Sequence, residues 1–337
     1  MDADLDSAAE HRDLVVIGAS AGGVETLARV IAGLAPTLPA AVCIVLHIAP
    51  ESPSALAGIL ARAGSLPCRP ASDGEPLIPG QILVAPPDRH LVIEDDRVRL
   101  TIGPRENNHR PAVDALFRTA ARDHGARVLG VVLTGTRDDG TAGLAVIKAR
   151  GGAAIVQDPA DAAYPGMPAS ALQRVAVDAV LPSDKIADAI ERMVDQGPNS
   201  PDQAMRKPRL DEESSAGILI CPECGGVLSE RSEAGVMHWK CRVGHRYSTE
   251  TLADAQAEDV EAALWTAIRA LHDRARLLYQ LARRAESNGQ ERSARLFRQR
   301  GELADQQAEL VRGALQQAAE TALRDFAASA ESDTEVA

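Results

Sequence analysis

The chain has 337 residues, 45% of them hydrophobic but only 2% aromatic, and a formal net charge of −12. That length carries two or three domains, whose core has to be built from Val, Ile, Leu and Ala. The acidic balance excludes general nucleic-acid binding, which needs a basic face, and no apolar run approaches the roughly 18 residues of a membrane span.

The first stretch, "MDADLDSAAEHRD", is acidic where a signal peptide is basic and then apolar. Residues 1–12 are therefore expected to be disordered, and the protein cytoplasmic. From 13 to 195 short β-branched runs alternate with helical segments. "LVVIG", "AVCIVLH", "RVLGVVLTG" and "AAIVQ" read as strands buried on both faces. Residues 24–34, 54–63, 113–123, 143–149 and 185–193 read as the helices between them. Gly80 to Gly103 reads as a hairpin turning at Asp95-Asp96. The expectation is an α/β domain of three layers, a doubly wound, mostly parallel sheet with a peripheral hairpin.

The first strand runs into "IGASAGG", in which Gly18, Ser20 and Gly22 match the G-x-S-x-G turn that exposes a nucleophile. The same residues also suit a plain tight turn with a serine helix cap. A dinucleotide cradle fits worse: Ser20 stands where the second glycine of G-x-G-x-x-G is needed, and His47, not an acid, closes the second strand. His47 and Asp139 each follow a predicted strand, at the sheet edge where α/β sites assemble. Singly, a histidine there or an aspartate before glycine is more often structural. Together, Ser20, His47 and Asp139 supply a nucleophile, a base and an orienting acid. Asp138 competes with Asp139 for the third role. The chain order Ser, His, Asp differs from that of α/β-hydrolases, so the turn motif does not imply that fold.

Residues 196–217 hold three prolines and no periodic apolar face, which reads as a linker. In 218–248, Cys221, Cys224, Cys241 and His245 are spaced C-x2-C-x16-C-x3-H, the pattern of a tetrahedral structural zinc site. His238 is the alternative fourth ligand and reads instead as a surface residue of its strand. About 30 residues bury little core, so a metal would supply folding energy. Residues 249–329 read as two long antiparallel helices broken at Ser287 to Gly289. Val260, Leu264, Ile268, Leu271, Leu278 and Leu281 form one stripe, and Phe297, Leu303, Leu310 and Leu315 a second. The pair is read as a cap on the zinc unit and as a docking or dimerisation module. Residues 330–337 are expected to be a disordered tail.

Several ordered motifs, "IGASAGG", "LHIAP", "IPGQILVAPPDRHL", "NNHRPAVDALF", "VLGVVLTGTRDDGTAGL" and "QDPADAAYPGMP", resemble the catalytic domain of the chemotaxis protein-glutamate methylesterase (CheB) family over Leu14 to Leu181. The resemblance implies hydrolysis of glutamate methyl esters on chemoreceptor-like proteins of a bacterial chemosensory pathway, and deamidation of certain receptor glutamines. It implies Ser20 as nucleophile, His47 as base and Asp139 as acid, since the family's acid directly precedes the glycine. It places the oxyanion on the backbone amides of Ala21 and Thr136, and it implies no cofactor for catalysis. Thr136-Arg137 departs from the family's Met-Gly. Thr136 keeps a backbone N–H, whereas Arg137 strains a glycine turn or sets a cation beside the site. No receiver domain is expected before the first strand in this chain. Docking of the helices on other chemosensory proteins would offset the missing electrostatic attraction to an acidic receptor. The alternative is a non-catalytic chemosensory adaptor that keeps the fold.

Overall fold

A computed structural model describes residues 11–51, 55–196 and 212–332. The expected disordered segment 1–12 lies almost wholly outside them, as do residues 197–211 of the expected linker and 333–337 of the tail. Two compact units result, Met1–Ala253 and Asp254–Ala337.

In the first unit, β1 (Leu14–Ala19), α1 (Gly23–Ala32), β2 (Ala41–Leu46), α2 (Leu56–Ala63), β3 (Cys68–Pro70) and β4 (Ile82–Val84) build one half of a sheet. The hairpin β5 (His90–Glu94) and β6 (Arg97–Thr101) leads to α3 (Val113–His124). Then β7 (Val128–Val132), α4 (Thr141–Ala149), β8 (Ala153–Gln157), α5 (Gly166–Arg174), β9 (Ala179–Leu181) and α6 (Ser183–Asp195) complete the other half. The seven strands run in the order β3-β4-β2-β1-β7-β8-β9, and every pairing is parallel.

Alternation along β1 explains the three layers. Leu14 and Val16 face a core shared with Leu116, Phe117, Leu144 and Met167 of α3, α4 and α5. Val15, Ile17 and Ala19 face Leu27, Ile31, Leu60 and Ile190 of α1, α2 and α6. Both faces are covered, so the strands are apolar throughout. The hairpin is shorter than expected: Ile82–Val84, read as part of it, pairs with Val42–Ile44 in the main sheet. Those three residues are fully apolar, which suits a central position better than a half-solvated ribbon. Helix α5 escapes sequence reading because it starts in "YPGMP", a run that signals a turn.

A separate antiparallel sheet of β10 (Glu212–Ile220), β11 (Val227–Glu233), β12 (Val236–Cys241) and β13 (Arg246–Tyr247) follows. Its first strand starts inside the stretch expected to be linker.

Helices α7 (Thr249–Ser287) and α8 (Glu291–Ser332) are joined through Gly289, which takes a left-handed φ of 71°. Glu286–Arg298, Tyr279–Asp305 and His272–Arg312 contacts step up one helix and down the other, so the pair is antiparallel. The expected stripes lie only partly in the seam: Ile268 is buried and Leu264, Leu271, Leu278, Leu281, Phe297 and Leu315 are half-buried. Val260, Leu303 and Leu310 are exposed, while Ala275, Ala282, Ala285, Ala294, Ala304 and Ala308 are buried with Ile268. Small residues let the two backbones approach closely, and Gly301 lies against the ring of Tyr279. Among the described residues no helix is long and apolar enough to cross a membrane.

Candidate active site

β1 sits at the centre of the sheet, and the chain winds away from it in both directions, to β2 on one side and β7 on the other. The crevice at the carboxyl ends of such strands is where α/β proteins place ligands. Ser20 follows β1, His47 follows β2, and the segment Thr134–Asp139 follows β7. Three adjacent parallel strands thus deliver the three residues to one edge.

Backbone bonds hold the serine turn. The Ser20 amide donates to the Thr134 carbonyl at 2.9 Å, and the Gly23 amide to the Ser20 carbonyl at 2.9 Å. Gly22 then takes a left-handed φ of 70° to enter α1, a conformation that disfavours any other residue. His47 Nδ1 lies 3.1 Å from Ser20 Oγ, and His47 Nε2 lies 2.7 Å from Asp139 Oδ2. An ionised carboxylate only accepts, so Nε2 carries the proton and Nδ1 is left to accept from the hydroxyl. The imidazole is thus used in the opposite sense to the chymotrypsin arrangement, in which Nε2 faces the serine.

Asp139 precedes α4, yet its carboxylate caps α3. It accepts from the amides of Val113 at 2.7 Å and Asp114 at 3.1 Å, two of the orphan donors at that helix start. Asp114 returns the arrangement, accepting from Gly140 at 3.0 Å and Gly143 at 2.6 Å at the start of α4. The side chain of Asn107 bridges them, its Nδ2 donating to Asp139 Oδ1 at 2.9 Å and Asp114 Oδ2 at 3.0 Å. Burial pushes both carboxyls up. At Asp139 the hydrogen bond and charge of His47 outweigh that, holding it below the ordinary carboxylate range. At Asp114 burial and the charge of Asp139 act together, and its carboxyl is pushed well above it. Asp139 is therefore the member of the pair that keeps its charge beside His47.

Asp138, the competitor at the sequence level, points elsewhere. It accepts from Ser248 Oγ at 2.9 Å and Thr251 Oγ1 at 3.1 Å, and no contact joins it to His47.

Gly135 lets the loop after β7 pass the nucleophile: a Cβ there would lie 2.1 Å from Met167 Sδ and 2.8 Å from the Ser20 Cβ. Thr136, next in the chain, is exposed at the edge of the site. Arg137 has a left-handed φ of 63°, so the strain anticipated for a non-glycine residue is present. Arg105 and Arg110 line the cleft together with Ser20, Ala21, His47 and His109.

The His109 ring stacks on His47, with centroids 3.6 Å apart and planes 11° from parallel. Burial, then repulsion from His47, lowers its pKa from 6.5 to about 4. A folded pKa below the unfolded one means the unfolded chain takes up the proton first. Stability from this group is complete above pH 6.5 and is lost as pH falls towards about 4. Melting curves between pH 7 and pH 4 should show a loss of about 2–3 kcal/mol from this source. A His109→Gln protein should lose that part of the slope.

In the antiparallel sheet, ligand atoms of Cys221, Cys224, Cys241 and His245 all lie within 4.8 Å of one another. Cys224 and Cys241 sulfurs are 3.6 Å apart, and His245 Nδ1 is 3.6 Å and 3.5 Å from the sulfurs of Cys221 and Cys241. Zinc–sulfur bonds of about 2.3 Å place tetrahedral neighbours roughly 3.8 Å apart, so the donor set fits that ion. The other ring nitrogen of His245 faces Glu223 Oε2 at 3.7 Å, the kind of outer carboxylate that orients a ligating histidine. His238 lies outside this cluster and is buried, not at the surface, with Nε2 3.1 Å from Arg246 Nη1.

Asn107, His109, Asp114 and Ser248 were not legible as site residues. The motif "NNHRPAVDALF" was visible, but nothing in it says which of its polar groups turns inward.

A protein-family model described as CheB methylesterase matches residues 15–190. A protein-glutamate methylesterase/protein-glutamine glutaminase of Anaeromyxobacter dehalogenans is 45% identical over 181 residues, covering 54% of this chain and 53% of the relative. The chain thus spans about half the length of that curated relative. A putative enzyme of the same description from Leptospira interrogans is 39% identical and is covered over 94% of its length. The crystal structure of the Thermotoga maritima CheB methylesterase catalytic domain is 35% identical, with a TM-score of 0.52, covering 54% of this chain and 98% of that one.

Proposed function

The chain belongs to the CheB methylesterase family, and from that premise we propose that it hydrolyses glutamate methyl esters of chemoreceptor-like proteins, with glutamine deamidation as a second reaction of the same site. The observation that carries the reading is the hydrogen-bonded series Ser20–His47–Asp139 at the edge of three parallel strands.

Ser20 Oγ attacks the ester carbonyl as its proton passes to His47 Nδ1. Asp139 fixes the tautomer and stabilises the imidazolium. Backbone amides of Ala21 and Thr136 receive the oxyanion: Ala21 follows the nucleophile directly, and Thr136 follows Gly135, which passes close to Ser20. Collapse returns the proton to the methoxy oxygen and expels methanol, leaving a γ-glutamyl ester on Ser20. Water, deprotonated by His47, then releases the glutamate. A glutamine side chain follows the same course with ammonia as leaving group. Arg105 and Arg110 line the cleft, each paired with an acid, Glu223 and Asp88. Methanol release from a methylated receptor fragment tests the reading. A purified, folded protein that releases none would favour the adaptor instead.

The second part of the proposal is a structural zinc held by Cys221, Cys224, Cys241 and His245. Four protein ligands leave no open position for catalysis. Elemental analysis should find about one zinc per chain. A Cys224→Ser protein that kept its full metal content would refute this ligand set. The α7–α8 pair, with its exposed leucines, is proposed as a contact for other chemosensory proteins.

A further inference from the structure

The loop Arg105–His109 lies between the cysteine-bearing sheet and the Ser20–His47–Asp139 series, and it touches both. On one side the Asn107 amide donates to the Arg246 carbonyl at 2.9 Å, and the Arg246 amide to the Arg105 carbonyl at 3.3 Å. The Ser248 amide donates to Asn107 Oδ1 at 3.0 Å. Arg105 also pairs with Glu223, which lies between Cys221 and Cys224, at 3.5 Å. On the other side Asn107 Nδ2 donates to Asp139 Oδ1, and His109 stacks on His47.

Asn107 and Asn108 both have left-handed backbones, with φ of 51° and 64°. They are the central pair of a two-residue turn that Glu106 and His109 close with reciprocal backbone bonds of 3.2 and 2.9 Å, so the turn is held locally, and the contacts with Ser248 and the carboxylates fix the Asn107 side chain. The Asn107 amide plane is fixed by opposite ends: its oxygen by Ser248, its nitrogen by the two carboxylates. Ser248 is three residues past His245, with only the short strand β13 between them.

We infer that Asn107 and Ser248 are positioning residues that make the Cys3His sheet part of the esterase site, so that metal loading sets the alignment of Asp139 and His47. A metal that ties Cys241 to His245 fixes the chain entering β13, and β13 with Ser248 fixes Asn107. Release or oxidation of the cluster frees that end of the loop, and Asp139 loses one of its five donors. Neither residue faces the cleft that would take substrate, so the effect falls on kcat rather than KM. The inference rests on the hydrolase and metal readings above.

The test uses the full chain, zinc-loaded, metal-stripped with a chelator, and reloaded with zinc alone. Turnover is expressed per site titrated with a serine-directed phosphonate, so that unfolded molecules do not count. Stripping should lower kcat about a hundredfold, as for an ångström-scale misplacement of a catalytic group, with KM unchanged and recovery on reloading. Asn107→Ala should start lower by a similar factor and lose less than about threefold more on stripping, because the connection is already cut. A zinc that merely held the fold would give two independent, multiplying losses, which overturns the inference. So does a stripped wild type that keeps its kcat.

Should stripping unfold the unit, Ser248→Ala in the zinc-loaded protein removes the hydroxyl that bonds Asp138 and Thr251 and serves as the baseline, and Ser248→Pro removes in addition the amide that reaches Asn107. The proline variant should fall below that baseline in kcat at constant KM, with Ser248→Thr restoring it; a proline variant equal to the baseline overturns the inference. The downfield proton resonance of the His47 Nε2–H···Asp139 bond supplies a readout free of turnover. A resonance that follows zinc in a protein without esterase activity supports this inference while sinking the esterase reading. Full turnover that ignores zinc does the reverse.

Discussion

Ser20→Ala should lower methanol release from a methylated receptor fragment by about 10⁴-fold or more, the usual cost of removing the nucleophile from such a triad. The hydroxyl oxygen hydrogen-bonds His47 Nδ1 at 3.1 Å, and the turn is held by backbone bonds that alanine keeps. Stability should therefore stay within about 0.5 kcal/mol of the wild type. That combination separates chemistry from folding. Ammonia release from receptor glutamines should fall in parallel, since both reactions pass through the same acyl intermediate. Equal methanol release by the two proteins would mean that another group attacks, and the triad assignment would fall with it.

Asp139→Asn should lower kcat by about 10⁴-fold, and unlike the serine change it should also weaken the fold. The carboxylate receives five donors: the amides of Val113, Asp114 and Gly140, Asn107 Nδ2 and His47 Nε2. An amide side chain brings one NH₂ into a shell made wholly of donors. At least one buried N–H then loses its acceptor, at a cost of about 1–3 kcal/mol. His47 meanwhile loses the charge that stabilises its imidazolium. The neighbouring Asp114 should respond in the opposite sense. The negative charge of Asp139 helps hold its carboxyl well above the ordinary range, so removing that charge lets it titrate lower. Carbonyl-stretch or carbon NMR titration of Asp114 in the variant checks that shift. Asp138→Asn probes the adjacent position: its partners are Ser248, Thr251 and Arg174, and His47 is not among them, so a loss there runs through Ser248 and should fall far short of that in Asp139→Asn.

How much of this was legible depended on whether a feature was local. Buried strands such as Ala153–Gln157 stand out because nearly every residue is apolar, which only a sheet covered on both faces tolerates. The hairpin turn at Asp95-Asp96 was legible too, and both residues have the left-handed φ that tight turns need. Boundaries failed where local chemistry points two ways. "YPGMP" signals a turn but opens α5. The stripes of 260–315 have helical spacing, yet six of their ten residues are only half-buried, and the most buried positions are mainly alanines because close helix packing favours small side chains.

Ser20, His47 and Asp139 could be nominated from sequence because each stands directly after a buried strand, and parallel strands bring their carboxyl ends to one edge. The choice between Asp138 and Asp139 could be made only by resemblance, since two adjacent carboxylates look alike in a chain. The packed chain sends the two apart: the start of α3 lies against the start of α4, and its free N–H groups draw in Asp139, which also meets His47, while Asp138 turns to Ser248 and Thr251. The same holds for the cysteines. Their spacing alone nominates a tetrahedral metal set, because ligand geometry is local. That the sheet bearing them reaches Asn107, and through it the acid of the triad, follows from a contact between residues 107 and 248. No periodicity, motif or composition encodes a contact across that separation; only the packed chain creates it.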